Sequence, residues 1–300
     1  MIRLAHGERE KIASLVRELC GVVLDESKDY VIECRLSAVA EEAGCANFSE
    51  LAVRASRPDA RDLRDAIVDA ATTRETSFFR DLAWFHVLEH KILPELVDRK
   101  SADARAGEFR APIRIWSAGC STGQEAYSVA MIVRELFEGL EPWPARLVAT
   151  DVSEGALRRA REGTYTQAEV DRGLKASFLE KYAIRVGRGW RIREDLRAMV
   201  DFSRRNLLDD FACLGRFDVI LCRNVAIYFA PEVRDDLFAR LVRALLPGGC
   251  LLLGAAESLQ GSGRGVERRE YLGAIYYERP LVAPPSLPAD ARARGVSRRP

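Results

Sequence analysis

Residues 113–128 read IRIWSAGCSTGQEAYS. An apolar run from Ile113 breaks into a loop of small residues and re-enters a helix at an acidic residue, which is how an open α/β sheet makes a ligand crevice at the carboxyl end of a strand. Gly119, Ser121 and Gly123 let the backbone come close to a bound molecule, and Glu125 puts a carboxylate where a cationic group can be held. A dinucleotide fingerprint would have glycine two residues after Gly119, where Ser121 stands. A Walker loop would follow its last glycine with Lys and Ser or Thr, but Gln124 and Glu125 follow Gly123. With neither phosphate cradle present, the loop reads as a site for a ligand that carries an ammonium and no diphosphate. Taken alone, it also fits an ordinary strand-to-helix turn.

The next strand, Arg146-Leu147-Val148-Ala149-Thr150-Asp151, follows a helix expected over 125–138. A carboxylate at its carboxyl end can accept both hydroxyls of a ribose. A nucleoside with an ammonium and no phosphate describes S-adenosylmethionine. A capping role for Asp151 or Ser153 at the helix 153–162 is compatible with this reading.

Composition agrees with a soluble enzyme. The chain has 300 residues, 48% of them hydrophobic and 30% charged, enough for two cores. Its formal charge is +1, and residues 1–75 hold 11 Lys and Arg against 15 Asp and Glu, which argues against nucleic acid as a partner. The sequence contains no run of twenty apolar residues, and MIRLAHGEREK lacks a hydrophobic signal core, so a cytoplasmic protein without membrane insertion is expected. Seven cysteines without a C-x-x-C pair suit a reducing compartment, and Cys120 reads as a small buried residue. His86 and His90 stand four apart on a helix with no third ligand in view, so no metal is expected.

Residues 6–70 read as helices, with Ile12, Leu15, Val16 and Leu19 at helical spacing and breaks near Gly21, Gly44 and Pro58. The pattern divides the chain into a helical domain at 1–75, a helical linker at 76–111 and an α/β domain at 112–280, with a flexible tail at 281–300. Within the linker, a helix at 82–99 precedes the polar run Lys100 to Gly107. The helix expected at 232–246 ends before Pro247-Gly248-Gly249 and feeds the strand Cys250 to Leu253; a last hairpin pairs 266–269 with 274–279. Between 164 and 200 the alternation is interrupted by an insert whose hairpin runs from Tyr182 to Val186, turns at Gly187-Arg188-Gly189 and returns from Trp190 to Arg193.

Five blocks together carry a resemblance: TTRETSFFRD at 72–81, SAGCSTGQEAYS at 117–128, ATDVSEGALRRAREGTY at 149–165, FSRRNLL at 202–208 and FDVILCRNVAIYF at 217–229. In order and spacing they closely resemble the CheR-type chemoreceptor methyltransferases of bacterial chemotaxis, over about residues 8–279. The resemblance implies a Rossmann-like S-adenosylmethionine-dependent methyltransferase domain with a small β-subdomain insert, preceded by a small all-α domain. It also implies methyl transfer to glutamate carboxylates in the cytoplasmic helical region of chemoreceptors, with S-adenosylhomocysteine as product. Matched by position, Thr76 and Arg80 meet the amino-acid end of the cofactor, Glu125 holds its ammonium and Asp151 its ribose. Asn206 and Leu207 lie beside the adenine, and Asn224 and Val225 line the cofactor near its sulfur. Arg80 and Tyr228 stand beside the incoming glutamate as the catalytic pair.

Some positions depart from the family. Arg74 stands where the family usually has an asparagine that touches the cofactor. Ala126 replaces a common first-turn proline, which mainly pre-sets φ. The turn Val186 to Gly189 is short for gripping a receptor's carboxyl-terminal pentapeptide, so docking independent of the pentapeptide is expected, as is a monomer. Ser27 to Ala43, where relatives face the receptor, carries Lys28 and Arg35 against Asp29, Glu33, Glu41 and Glu42, a weak attraction for an acidic helix. Two other readings keep the cofactor: a methyltransferase with another protein or small-molecule acceptor, and a cofactor-sensing module in a signalling complex.

Overall fold

The computed structural model describes residues 2–103, 111–137, 144–259 and 264–281; the expected tail beyond Leu281 and the end of the polar run after Asp103 lie outside them. The strands are β1 (Ile113–Ala118), β2 (Ala145–Asp151), β3 (Thr164–Thr166), β4 (Ala183–Val186), β5 (Gly189–Ile192), β6 (Val200–Arg204), β7 (Phe217–Cys222), β8 (Leu245–Leu253), β9 (Glu267–Tyr271) and β10 (Ala274–Glu278). Seven of them form one sheet in the order β6-β2-β1-β7-β8-β10-β9. β6, β2, β1, β7 and β8 run parallel, and β10 and β9 close the edge as an antiparallel hairpin. After β1 the chain first adds β2 and later β7 on the other side, so the order reverses at β1. The glycine loop after β1 therefore opens into the crevice of a topological switch point.

Side chains lock that loop in place. The buried Trp116 donates from Nε1 to Thr150 Oγ1 at 2.9 Å and joins β1 to β2. Such a fully buried tryptophan contributes about 3 to 5 kcal/mol. Tyr165 donates its hydroxyl to the Thr122 carbonyl at 2.7 Å, and Tyr127 donates to Ala160 at 2.6 Å. These bonds fasten the loop and the helix Gln124–Leu136 to the helix Glu154–Glu162 and to the insert. Ala126, in place of the proline, is buried in the first turn of its helix without disturbing it.

The insert holds one strand more than the hairpin read from sequence. β3 pairs antiparallel with β5, giving the order β3-β5-β4. Thr166, which ends β3, is also the cap of the helix Gln167–Asp171 and forms a capping box with Glu169; that local signal is helical and masks a three-residue strand. A second difference lies at Pro247. The helix Pro231–Ala244 stops earlier than expected, and β8 starts at Leu245 and runs through Pro247-Gly248-Gly249 with an irregular register opposite Phe217 and Val219. A proline is tolerated at such an irregularity because no ladder donor is needed there.

The amino-terminal helices enclose their own core, with Ile12, Val16, Ile32, Leu36, Phe48, Leu51 and Ile67 fully buried. They meet the sheet at a polar seam. Asp65 accepts a bidentate bond from Arg204, and the Asp69 carboxylate accepts from Gly155 N at 3.1 Å. A Cβ on Gly155 would stand 2.5 Å from that carboxylate, so any larger residue there would push the Asp69 side chain aside. The segment after the helix Glu8–Cys20 turns at Gly21 (φ 79°) and lays Val22 against Phe229 as an isolated antiparallel bridge, with Val23 N donating to Tyr228 O at 2.9 Å.

Candidate functional site

A cleft lies where the β1 loop, the end of β2 and the loops after β6 and β7 meet the seam with the helices. Each residue assigned to the site from sequence lines it: Arg74, Thr76, Arg80, Glu125, Asp151, Asn206, Leu207, Asn224, Val225 and Tyr228. Cys20, Val22 and Phe229 add apolar wall that the sequence did not announce.

Two carboxylates face the cleft across the glycine loop. Asp151 accepts from Ser121 N at 2.8 Å and from Ser153 N at 2.9 Å, one bond to each oxygen. Helix capping falls to Ser153, whose hydroxyl accepts from Ala156 N at 3.0 Å. Asp151 is thus spared from capping and retains lone pairs for a ligand. Burial pushes its carboxyl above the ordinary value of 3.8, against the opposing pull of the backbone donors. Glu125 accepts from Ser117 Oγ at 2.7 Å and from Arg223 Nη1 at 3.0 Å.

The loops around these acids are strained. Phe79, Asp81, Ser121 and Asn224 all adopt left-handed φ, between 49° and 58°. Side chains other than glycine pay for this conformation, so it persists where surrounding contacts impose it. Asn224 is held by Glu257, whose carboxylate accepts from the backbone N–H groups of Asn224 (2.7 Å), Val225 (3.1 Å), Ile227 (3.2 Å) and Gly254 (2.8 Å). At Gly119 (φ 83°), a Cβ would come within 2.4 Å of Val225 Cγ2, so only glycine lets the two loops approach.

Other side chains are already engaged. Asn206 donates from Nδ2 to Leu19 O at 2.8 Å and accepts from Leu208 N at 3.1 Å, leaving one N–H and one lone pair for a base edge. Arg74 turns toward Asp69, 3.2 Å from its carbonyl and 3.5 Å from its carboxylate. Arg80 donates to Glu75 O at 3.2 Å. Tyr228 is half-buried, with Lys28 Nζ 5.9 Å from its ring centroid. Cys120 is buried, which pushes its thiol well above the ordinary range and leaves it inert.

Sequence reasoning assigned no role to Arg223 or Glu257. Arg223 stands within CRNV at the end of β7, where a cation amid buried apolar residues was the available signal. Glu257 lies beyond β8, and its reach back to residues 224–227 depends on tertiary folding.

The donor set fits the expected cofactor: a buried carboxylate for a ribose, a second for an ammonium, an apolar wall for a base, and Ser121 Oγ, buried and without a partner. A mostly parallel sheet with this cleft at its switch point is a Rossmann-like fold, and its donor set fits the class of S-adenosylmethionine-binding methyltransferases. Two family models match in tandem, the CheR methyltransferase all-alpha domain over residues 8–72 and the CheR methyltransferase SAM binding domain over residues 74–271. The chain belongs to the CheR methyltransferase family. It is 39% identical over 257 residues to chemotaxis protein methyltransferase Cher2 of Pseudomonas putida, covering 84% of this chain and 90% of that protein. It is 38% identical over 264 residues to the chemotaxis protein methyltransferase of Vibrio parahaemolyticus, covering 87% and 92%. Among solved structures, the magnesium protoporphyrin IX methyltransferase of Synechocystis PCC 6803 is a distant likeness, with a TM-score of 0.33 at 15% identity over 69% of this chain and 86% of that one.

Proposed function

We propose that this chain methylates glutamate side chains of chemoreceptors, forming methyl esters for sensory adaptation. The observation that carries the reading is the joint placement of Arg80 and Tyr228 on the cleft that holds Glu125 and Asp151, in a chain whose relatives are named chemotaxis methyltransferases over most of their length. When bound, S-adenosylmethionine supplies an electrophilic methyl group on a sulfonium. Glu125 would take the ammonium and Arg80 the carboxylate of its amino-acid end, Asp151 the ribose hydroxyls, and Asn206 and Leu207 the adenine, with Tyr228 on the same cleft for the acceptor. An acceptor glutamate with a pKa of about 4.3 is ionised at neutral pH, so no side chain has to remove a proton.

The task left to the protein is geometric. An anion and a cation react to neutral products, so water opposes the reaction, and a cleft walled by Val22, Leu207, Val225 and Phe229 limits its access. Alignment of the reacting atoms can contribute up to about 7 to 11 kcal/mol. Among the described residues no helix is long and apolar enough to cross a membrane. We read the protein as a cytoplasmic monomer that reaches the receptor's helical region without needing its pentapeptide, since the insert's hairpin turns in two residues between Val186 and Gly189.

The test is methyl-labelled S-adenosylmethionine with membranes holding the organism's own receptors, read as volatile methanol released by mild alkali. Release with the native chain and its near-abolition in Arg80→Ala are the expected results. Stable label, or no label on receptors despite cofactor binding, overturns the acceptor.

A further inference from the structure

Arg223 has a side chain only 1% exposed, and its guanidinium faces two carboxylates. Nη1 donates to Glu125 Oε2 at 3.0 Å; Nη2 donates to the Arg80 carbonyl at 2.6 Å and to Asp81 Oδ2 at 3.0 Å. The plane is held against Trp84 and Phe85, whose ring centroids lie 5.6 and 5.5 Å from Cζ. Nε is buried without a partner, so the group is oriented for its two terminal nitrogens at the expense of the third. On the other side of Arg80, Phe79 N donates to Ser128 Oγ at 3.0 Å. The turn is therefore pinned on both sides of Arg80 while Phe79 and Asp81 keep left-handed φ.

We propose that Arg223 is a positioning residue for methyl transfer, clamping the Arg80 turn onto Glu125 so that the two side chains meeting the cofactor's amino-acid end act as one unit. The inference rests on the reading of that end given above. One guanidinium against the carboxylates of Asp81 and Glu125 leaves the cluster one positive charge short, and the ligand's ammonium completes it. A lysine cannot replace this clamp. Its single ammonium is a point charge, whereas the planar fork spans Glu125 on one arm and the Arg80 turn on the other.

The test uses the full-length chain, S-adenosylhomocysteine as probe and calorimetry without any acceptor, comparing wild type, Arg223→Lys, Arg80→Ala and the double variant. The expected result is a loss of about tenfold or more for Arg223→Lys, comparable to the loss for Arg80→Ala, with the double variant within about twofold of the weaker single one. Wild-type affinity in Arg223→Lys, or losses that add, overturns the proposal, because a merely structural residue weakens both backgrounds alike. If circular dichroism finds Arg223→Lys unfolded, Asp81→Asn takes its place in the same cycle, since the Asp81 side chain is 36% exposed. In turnover, Arg223→Lys should lower kcat and raise KM for the cofactor. A coupled cycle with no receptor methylation by wild type would remove the acceptor reading and leave the clamp standing.

Discussion

At Asp151, burial raises the carboxyl's proton affinity and the backbone N–H groups of Ser153, Ser121 and Val152 oppose it, with burial the larger effect. The folded value therefore lies above the ordinary 3.8, and the charged form that ribose hydroxyls need is lost as pH falls through that raised value. Affinity for S-adenosylhomocysteine should thus be flat near neutrality and fall on acidification, with a midpoint above 3.8. Asp151→Asn should bind about tenfold or more weakly at pH 7 and lose this dependence, since bonds to a charged acceptor contribute roughly 1.5 to 3 kcal/mol. Calorimetry across pH checks both statements. Gly119, Glu125 and Asp151 were legible in the sequence because a strand, a turn and a helix start place them through local geometry alone. Arg223 was not, because a cation in CRNV reads the same whether it faces solvent or three partners across the cleft.

Among the elements, the loop carrying Asn224, Val225 and Tyr228 owes its shape to Glu257, which satisfies three of its N–H groups and one at Gly254 with a single carboxylate. Glu257→Ala should leave these donors unsatisfied, relax the left-handed turn at Asn224 and reduce turnover by about tenfold or more, since each such loss costs roughly 1 to 3 kcal/mol. Hydrogen exchange should accelerate at 224–228 while the strands β1 and β2 stay protected; unchanged exchange there would remove Glu257 from this role. The alternation of strand and helix was legible because its period and glycine breaks are local signals. β3 was not: its three residues carry a helix cap, and their strand character comes from β5, which lies more than twenty residues away in sequence.

For the whole molecule, the decisive feature is the seam between the helices and the sheet. Arg204 holds the Asp65 carboxyl below its ordinary value through a bidentate pair with side chains 29% and 30% exposed. The sign follows from linkage: the stabilisation is present above the unfolded carboxylate value near 3.8 and is lost as pH falls through the lower folded one. Asp65→Ala should destabilise the chain by about 1 kcal/mol at pH 7, with partial solvent screening keeping the figure small. Thermal melts of the two proteins should converge as pH falls, and a gap that does not narrow on acidification would contradict the assignment. The two family matches fall on either side of residue 73, and the helical character of 6–70 was legible, but the seam was not, since it depends on backbone atoms such as the Leu19 carbonyl that Asn206 reaches.

The short bridge of Val22 to Phe229 bears on how such chains can be recombined. Because Cys20 and Val22 wall the cofactor cleft and Val23 donates to the tyrosine's own carbonyl, a chimera that borrows the helices of one relative and the sheet of another joins two halves of a single pocket. Recombining this chain with a relative would therefore require exchanging residues 19–23 together with 206–208 and 228–229, as one matched lining rather than as a module cut at residue 73.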